Sequence, residues 1–80
     1  QKLKMEGVKK GVPDLCLPVA KKPYNGLYIE MKRRTGGNVS VDQKKWLQRL
    51  NKAGYLAVVA HGCDEAWEVL MNYLNNGGLK

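Results

Sequence analysis

Apolar and polar positions alternate along residues 27–32. Leu27, Ile29 and Met31 fall on one side, and Tyr28, Glu30 and Lys32 on the other. That two-residue period predicts a strand with one face turned to a core. Residues 14–17 form a shorter run of the same kind, stopped near Pro18, in which Asp14 and Cys16 share one face and Leu15 and Leu17 the other. Pro13 pushes Val12 toward extended backbone and marks where this strand begins. Lys21-Lys22-Pro23-Tyr24-Asn25-Gly26 concentrates turn formers between the two runs. Matching the apolar faces of the resulting hairpin brings Asp14 to the side of Glu30 and Lys32.

Downstream the period lengthens. Ser40-Val41-Asp42-Gln43 has the capping-box spacing, with Ser40 as the N-cap. Trp46, Leu47, Leu50 and Ala53 then recur on one helical side until Gly54. Residues 56–60 are continuously apolar, the mark of a buried strand. Asp64 is set to cap a last helix with Ala66, Val69, Leu70, Tyr73 and Leu74 at helical spacing, and residues 75–80 read as a frayed tail. Trp46 and Trp67 fit the apolar stripes of the two helices and are expected in the core. Residues 1–6 read as the end of a helix closed by Gly7. The order is β, β, α, β, α. The strands that flank the middle helix should be parallel, joined by a right-handed crossover. This is an α/β domain with a mixed sheet flanked by helices, and residues 1–80 read as one domain with no repeat and no linker.

Charge adds a partner. Fourteen Lys+Arg against seven Asp+Glu give +7 on 80 residues, which favours a polyanion, nucleic acid before a membrane surface. Lys9 and Lys10 at one end of the hairpin, and Arg33 and Arg34 at the other, are candidates for phosphate contacts. Lys44, Lys45, Arg49 and Lys52 line the solvent face of the middle helix and add to that surface. Only Cys16 and Cys63 are present, too few for a disulfide framework, and both sit in apolar, strand-like contexts. Buried free thiols in a reducing compartment follow, and no apolar run is long enough to span a membrane. His61 lacks a partner at metal-ligand spacing and reads as structural or surface. Tyr24 reads as an exposed turn aromatic. Serine-hydrolase, phosphate-loop and zinc-finger spacings are not found in the sequence.

The hairpin carries the chemistry. Asp14 and Glu30 can supply two carboxylates to a hard divalent cation, Mg²⁺ or Mn²⁺, with the backbone carbonyl of Met31 as a third oxygen. Lys32 places a positive charge beside that site, where it can stabilise an attacking water or a crowded phosphate. Taken alone, Glu-x-Lys on an exposed strand is an ordinary solvated pair. Taken with the Pro-Asp start, the hairpin spacing and the charge, the set points to metal-dependent phosphodiester cleavage.

Gly11-Val12-Pro13-Asp14-Leu15, Glu30-Met31-Lys32, Ser40-Val41-Asp42-Gln43-Lys44-Lys45-Trp46-Leu47 and Gly54-Tyr55, in that order, resemble the PD-(D/E)XK nuclease superfamily, and more closely the VRR-Nuc (virus-type replication-repair nuclease) family. The resemblance runs over residues 4–74. It implies a restriction-endonuclease-like core, Asp14 and Glu30 as metal ligands, Lys32 as the catalytic lysine and Gln43 reaching into the site. The sequence itself assigns Gln43 to the capping box, and both roles stay open. The resemblance further implies DNA endonuclease activity on branched DNA, four-way (Holliday) junctions first, by a homodimer in the cytoplasm of a bacterium or of a phage-infected cell. A nickase of flaps or splayed ends, or a non-catalytic basic DNA-binding module, is the alternative. The family core opens with an acidic helix and a further strand before the Pro-Asp motif. Both are expected to be missing here, with Glu6 too close to Gly7 to replace the acidic residue.

Overall fold

A computed structural model describes residues 4–5 and 10–76. Its elements are β1 (Lys4–Met5), β2 (Leu15–Leu17), β3 (Leu27–Lys32), α1 (Val41–Lys52), β4 (Leu56–His61) and α2 (Cys63–Asn76). The sheet runs β1-β2-β3-β4, with β2 antiparallel to both β1 and β3, and β3 parallel to β4. The longest ladder is the parallel one, six pairs from Leu27↔Leu56 to Lys32↔His61. Residues 4–5 correct the reading of a helix end: they pair with Cys16 and Leu15, so the strand expected to be missing is present as a two-residue edge. The rest of that reading, Glu6 and Gly7 included, lies outside the described residues.

One side of the sheet is dry. Leu17, Leu27, Ile29, Ala60 and Tyr73 are buried together, with Leu15, Val58, Val69 and Leu70 packed around them. These are the apolar faces of the three longer strands and the predicted stripe of α2. Tyr73 is fully buried, and its hydroxyl donates to Val19 O at 2.5 Å, so the ring fills the core without stranding a polar group. Tyr24 leans on it at 6.4 Å between ring centroids and is half-buried, because its turn folds onto the core rather than into solvent.

The other side is built differently. Helix α1 has no buried residue, and Trp46 is only half-buried, stacked under the Arg49 guanidinium at 5.7 Å. Part of its attachment is polar. Asn51 Oδ1 accepts from Ala57 N and Asn51 Nδ2 donates to Ala57 O, at 3.0 and 3.1 Å. One amide thereby satisfies both backbone groups of a residue on the outer strand, β4. Tyr28 and Tyr55 add an edge-to-face contact at 5.4 Å.

Helix α2 departs from the sequence reading in four places. It starts at Cys63, with Gly62 O accepting from Ala66 N, so Asp64 sits in the first turn rather than at the cap. Cys63 is consequently exposed, while Cys16 is buried, and both are unpaired. Trp67 lies one position off the Ala66–Leu70–Tyr73 stripe and is 63% exposed, walling an apolar depression with Leu15, Ile29 and Met31. The helix also runs on to Asn76, past the predicted end.

Candidate active site

Asp14 precedes the first residue of β2. The β2–β3 ladder pairs Leu15 with Ile29, and one step further the register sets Asp14 across from Glu30. The ladder stops there, and Asp14 Oδ2 takes over its work by accepting the Met31 N–H at 2.9 Å. Lys32 O accepts from Gly62 N on the β4 side of β3. Alternation along the strand then turns the Met31 carbonyl toward the opposite edge, the edge of Asp14.

Glu30 is 3% exposed. Its Oε2 receives Gln43 Nε2 at 2.8 Å, and Lys32 Nζ stands 3.8 Å away. Its Oε1 is buried and has no hydrogen-bond partner. Burial first, and the neighbouring Asp14 charge second, push the Glu30 carboxyl up from 4.5 to about 7, against the opposing pull of Lys32. A buried, orphaned carboxylate oxygen beside a second carboxylate is what a cation would relieve. Two carboxylates and a backbone carbonyl also match the oxygen set of a Mg²⁺ that keeps waters and binds substrate phosphate. The chain's residues therefore fit a divalent cation. Among the described residues no group of three or more His, Cys, Asp and Glu side chains converges on one point.

Gln43 holds two positions at once. Ser40 Oγ accepts from Gln43 N at 3.1 Å, and Gln43 Oε1 accepts from Ser40 N at 2.8 Å, which completes the capping box. Because the amide oxygen is occupied by the cap, the amide nitrogen is the end that faces Glu30. The two readings of Gln43 are thus compatible in one conformation. Gly11 brings the Pro-Asp loop to the same helix start: it has φ +87, and a Cβ there would lie 2.8 Å from Asp42 backbone atoms.

The basic candidates divide. Lys10 is exposed and pairs with Asp42 at 3.4 Å, close to the α1 N-terminus. Lys44 is exposed on α1. Arg33 donates to Gly36 O within its own loop at 3.4 Å. Arg34 is drawn to Asp64 at 3.4 Å, against a concavity of about 360 Å³ shared with His61, Glu65 and Glu68. Proximity in sequence does not place Arg34 in a purely basic patch, because α2 brings carboxylates to meet it. Glu65 Oε1 accepts from the His61 backbone N at 2.8 Å and lies 3.5 Å from its Nδ1. Lys9 lies outside the described residues. The contacts of Gly11 and Asn51 escaped the sequence reading, since neither carries a periodic signal.

A mixed α/β sheet presenting Asp14, Glu30 and Lys32 on one face, with Gln43 delivered by the following helix, defines a PD-(D/E)XK-type nuclease fold. Residues 1–64 match the VRR-NUC domain, and the chain belongs to that family. A solved structure of a VRR_NUC domain protein is 40% identical and superposes with a TM-score of 0.82. The alignment covers 86% of this chain and 57% of that one, so the chain spans little more than half of its relative. No curated protein sequence matches it.

Proposed function

We propose that this domain is a divalent-metal-dependent DNA endonuclease in which Asp14 and Glu30, with the Met31 carbonyl, hold Mg²⁺ or Mn²⁺. The observation that carries this is the Glu30 carboxylate, buried, with Oε2 supplied by Gln43 and Lys32 and Oε1 left without a donor. A bound cation would supply Lewis acidity toward water and offset charge on the scissile phosphate. The chain's own groups do the rest. Asp14 is oriented by the Met31 N–H. Lys32 brings a cationic donor to the phosphate or the attacking water. Gln43, its amide turned by the cap, orients Glu30 and can donate to the same water.

A +7 chain supports a polyanionic substrate. Lys10 and Lys44 flank the N-terminus of α1 and are our candidates for holding DNA backbone, with Lys9, Arg33 and Arg34 as further contacts. Branched DNA, a four-way junction first, follows from the family resemblance, as do a homodimer and a bacterial or phage setting. One chain offers one site, and symmetric paired nicks need two related by a two-fold axis. Among the described residues no helix is long and apolar enough to cross a membrane.

The test is incubation with Mg²⁺ or Mn²⁺ and matched four-way, flap and linear duplex DNA, beside Lys32→Ala. Paired nicks in the junction, absent in the variant, are the expected result. Nicks confined to flaps would redirect the substrate assignment. Metal-independent binding without cleavage would leave a DNA-binding module and sink the enzymatic reading.

A further inference from the structure

We propose that Gly37 is a positioning residue for Lys32, an inference that rests on the nuclease reading above. Strand β3 ends at Lys32, and residues 33–40 lead from it to the start of α1. The loop turns back at once. Arg33 donates to Gly36 O, and Gly36 takes φ +76. This returns Gly37 to the root of Lys32. A Cβ built on Gly37 would lie 3.1 Å from Lys32 Cβ, 3.3 Å from the Arg33 backbone N and 3.6 Å from Lys32 Cδ. Gly37 is not among the positive-φ glycines. Its requirement is therefore for space and not for an unusual backbone conformation.

Lys32 cannot yield to a larger residue. Its backbone is anchored on both sides, through Met31 N–H to Asp14 and through its own carbonyl to Gly62. The loop, which is mostly exposed, would have to lift instead. In its present place it covers the aliphatic stem, and the Lys32 side chain is only 16% exposed although it ends in a charge. A lysine stem has large rotamer freedom, and covering it removes alternatives that carry the ammonium away from the site. Gly37 thus keeps Lys32 Nζ near Glu30 before any substrate arrives.

The experiment pairs Gly37→Ala with Thr35→Ala, an exposed position in the same loop, in cleavage kinetics with Mg²⁺ and Mn²⁺. A nuclear Overhauser contact between Gly37 Hα and Lys32 Hβ is sought in the wild-type chain. We expect that contact, a kcat for Gly37→Ala lower by roughly tenfold to a hundredfold, and KM changed by less than about twofold. Thr35→Ala should cleave like wild type. A wild-type kcat in Gly37→Ala, an equal loss in Thr35→Ala, or no Gly37–Lys32 contact overturns the role of Gly37 and leaves the nuclease reading standing. A wild-type chain that cleaves nothing with either metal overturns both.

Discussion

The two faces of the sheet solve opposite problems. The α2 face buries Leu17, Leu27, Ile29, Ala60 and Tyr73 against one another. The α1 face buries one carboxylate, Glu30, beside a second, and its helix contributes no buried residue. Burying Glu30 is unfavourable by itself. The register that enforces it is fixed from the other side, because slipping β2 on β3 by one residue would expose Leu15 and Leu17. The apolar face therefore stabilises the fold, and the polar face draws on that stability to keep a site ready for a cation.

Two substitutions separate these roles most sharply. Tyr73→Ala removes the largest fully buried side chain. Loss of about 3–5 kcal/mol is expected, enough to unfold much of a small domain. Thermal melting by circular dichroism should show it, with no cooperative transition or a sharply lower Tm. Lys32→Ala, on the opposite face, should leave melting within a few degrees and lower the cleavage rate by about 10²–10³-fold. If Tyr73→Ala melts like wild type, or if Lys32→Ala fails to fold, the division of labour between the faces is wrong.

Legibility in the sequence follows the same division. Alternation in residues 27–32 and the stripe of α2 were plain because a period repeated over several turns or steps outweighs local noise. The site on the polar face was legible for the same reason: once the apolar faces are aligned, Asp14, Glu30 and Lys32 have one place to go. Strand β1 was not, because two residues form no pattern and exist as a strand only through pairing with β2. Trp67 misled because a tryptophan one step off a stripe has the composition of core but not its direction. The carboxylate that meets Arg34 was not legible, because Asp64 is 30 residues away in sequence. The capping box was visible in its spacing, whereas the reach of its glutamine into the site came only from the family resemblance, because the Glu30 it donates to lies 13 residues away.

The unfavourable burial of Glu30 can be measured directly. Its folded pKa of about 7 lies above the usual 4.5, so between those values the folded chain holds a proton that the unfolded chain has released. Without metal, stability should be greatest below about pH 4.5 as far as this group is concerned, fall as pH rises to about 7, and level off above. Glu30→Gln mimics the protonated form and should remove that slope. At pH 8 without metal the variant should be more stable than wild type by on the order of 3 kcal/mol, and near pH 5 the two should differ little. Mg²⁺ at pH 8 should raise the Tm of wild type and leave Glu30→Gln unmoved. Parallel pH profiles in denaturant unfolding would mean that Glu30 stays ionised and adequately solvated, and that the contrast between the faces is small.

The smallest effect tests whether stability and chemistry separate within the polar face itself. Ser40→Ala removes the Oγ that accepts from Gln43 N but keeps the backbone N–H that donates to Gln43 Oε1. Loss of an N-cap costs about 1 kcal/mol, read as a Tm lower by roughly 4–8 °C in a domain of this size. The first turn of α1 also carries Gln43 to Glu30, so a frayed cap should blur the amide's aim. Ser40→Ala should therefore lower kcat by a few-fold, and by less than Gln43→Ala, which deletes the donor outright. Ser40→Thr retains an acceptor oxygen and should recover both stability and rate. A lowered Tm with an untouched rate would mean that Glu30 alone holds Gln43 in place. The cap would then serve the helix and not the site, and the polar face, like the apolar one, would keep stability and chemistry on separate residues.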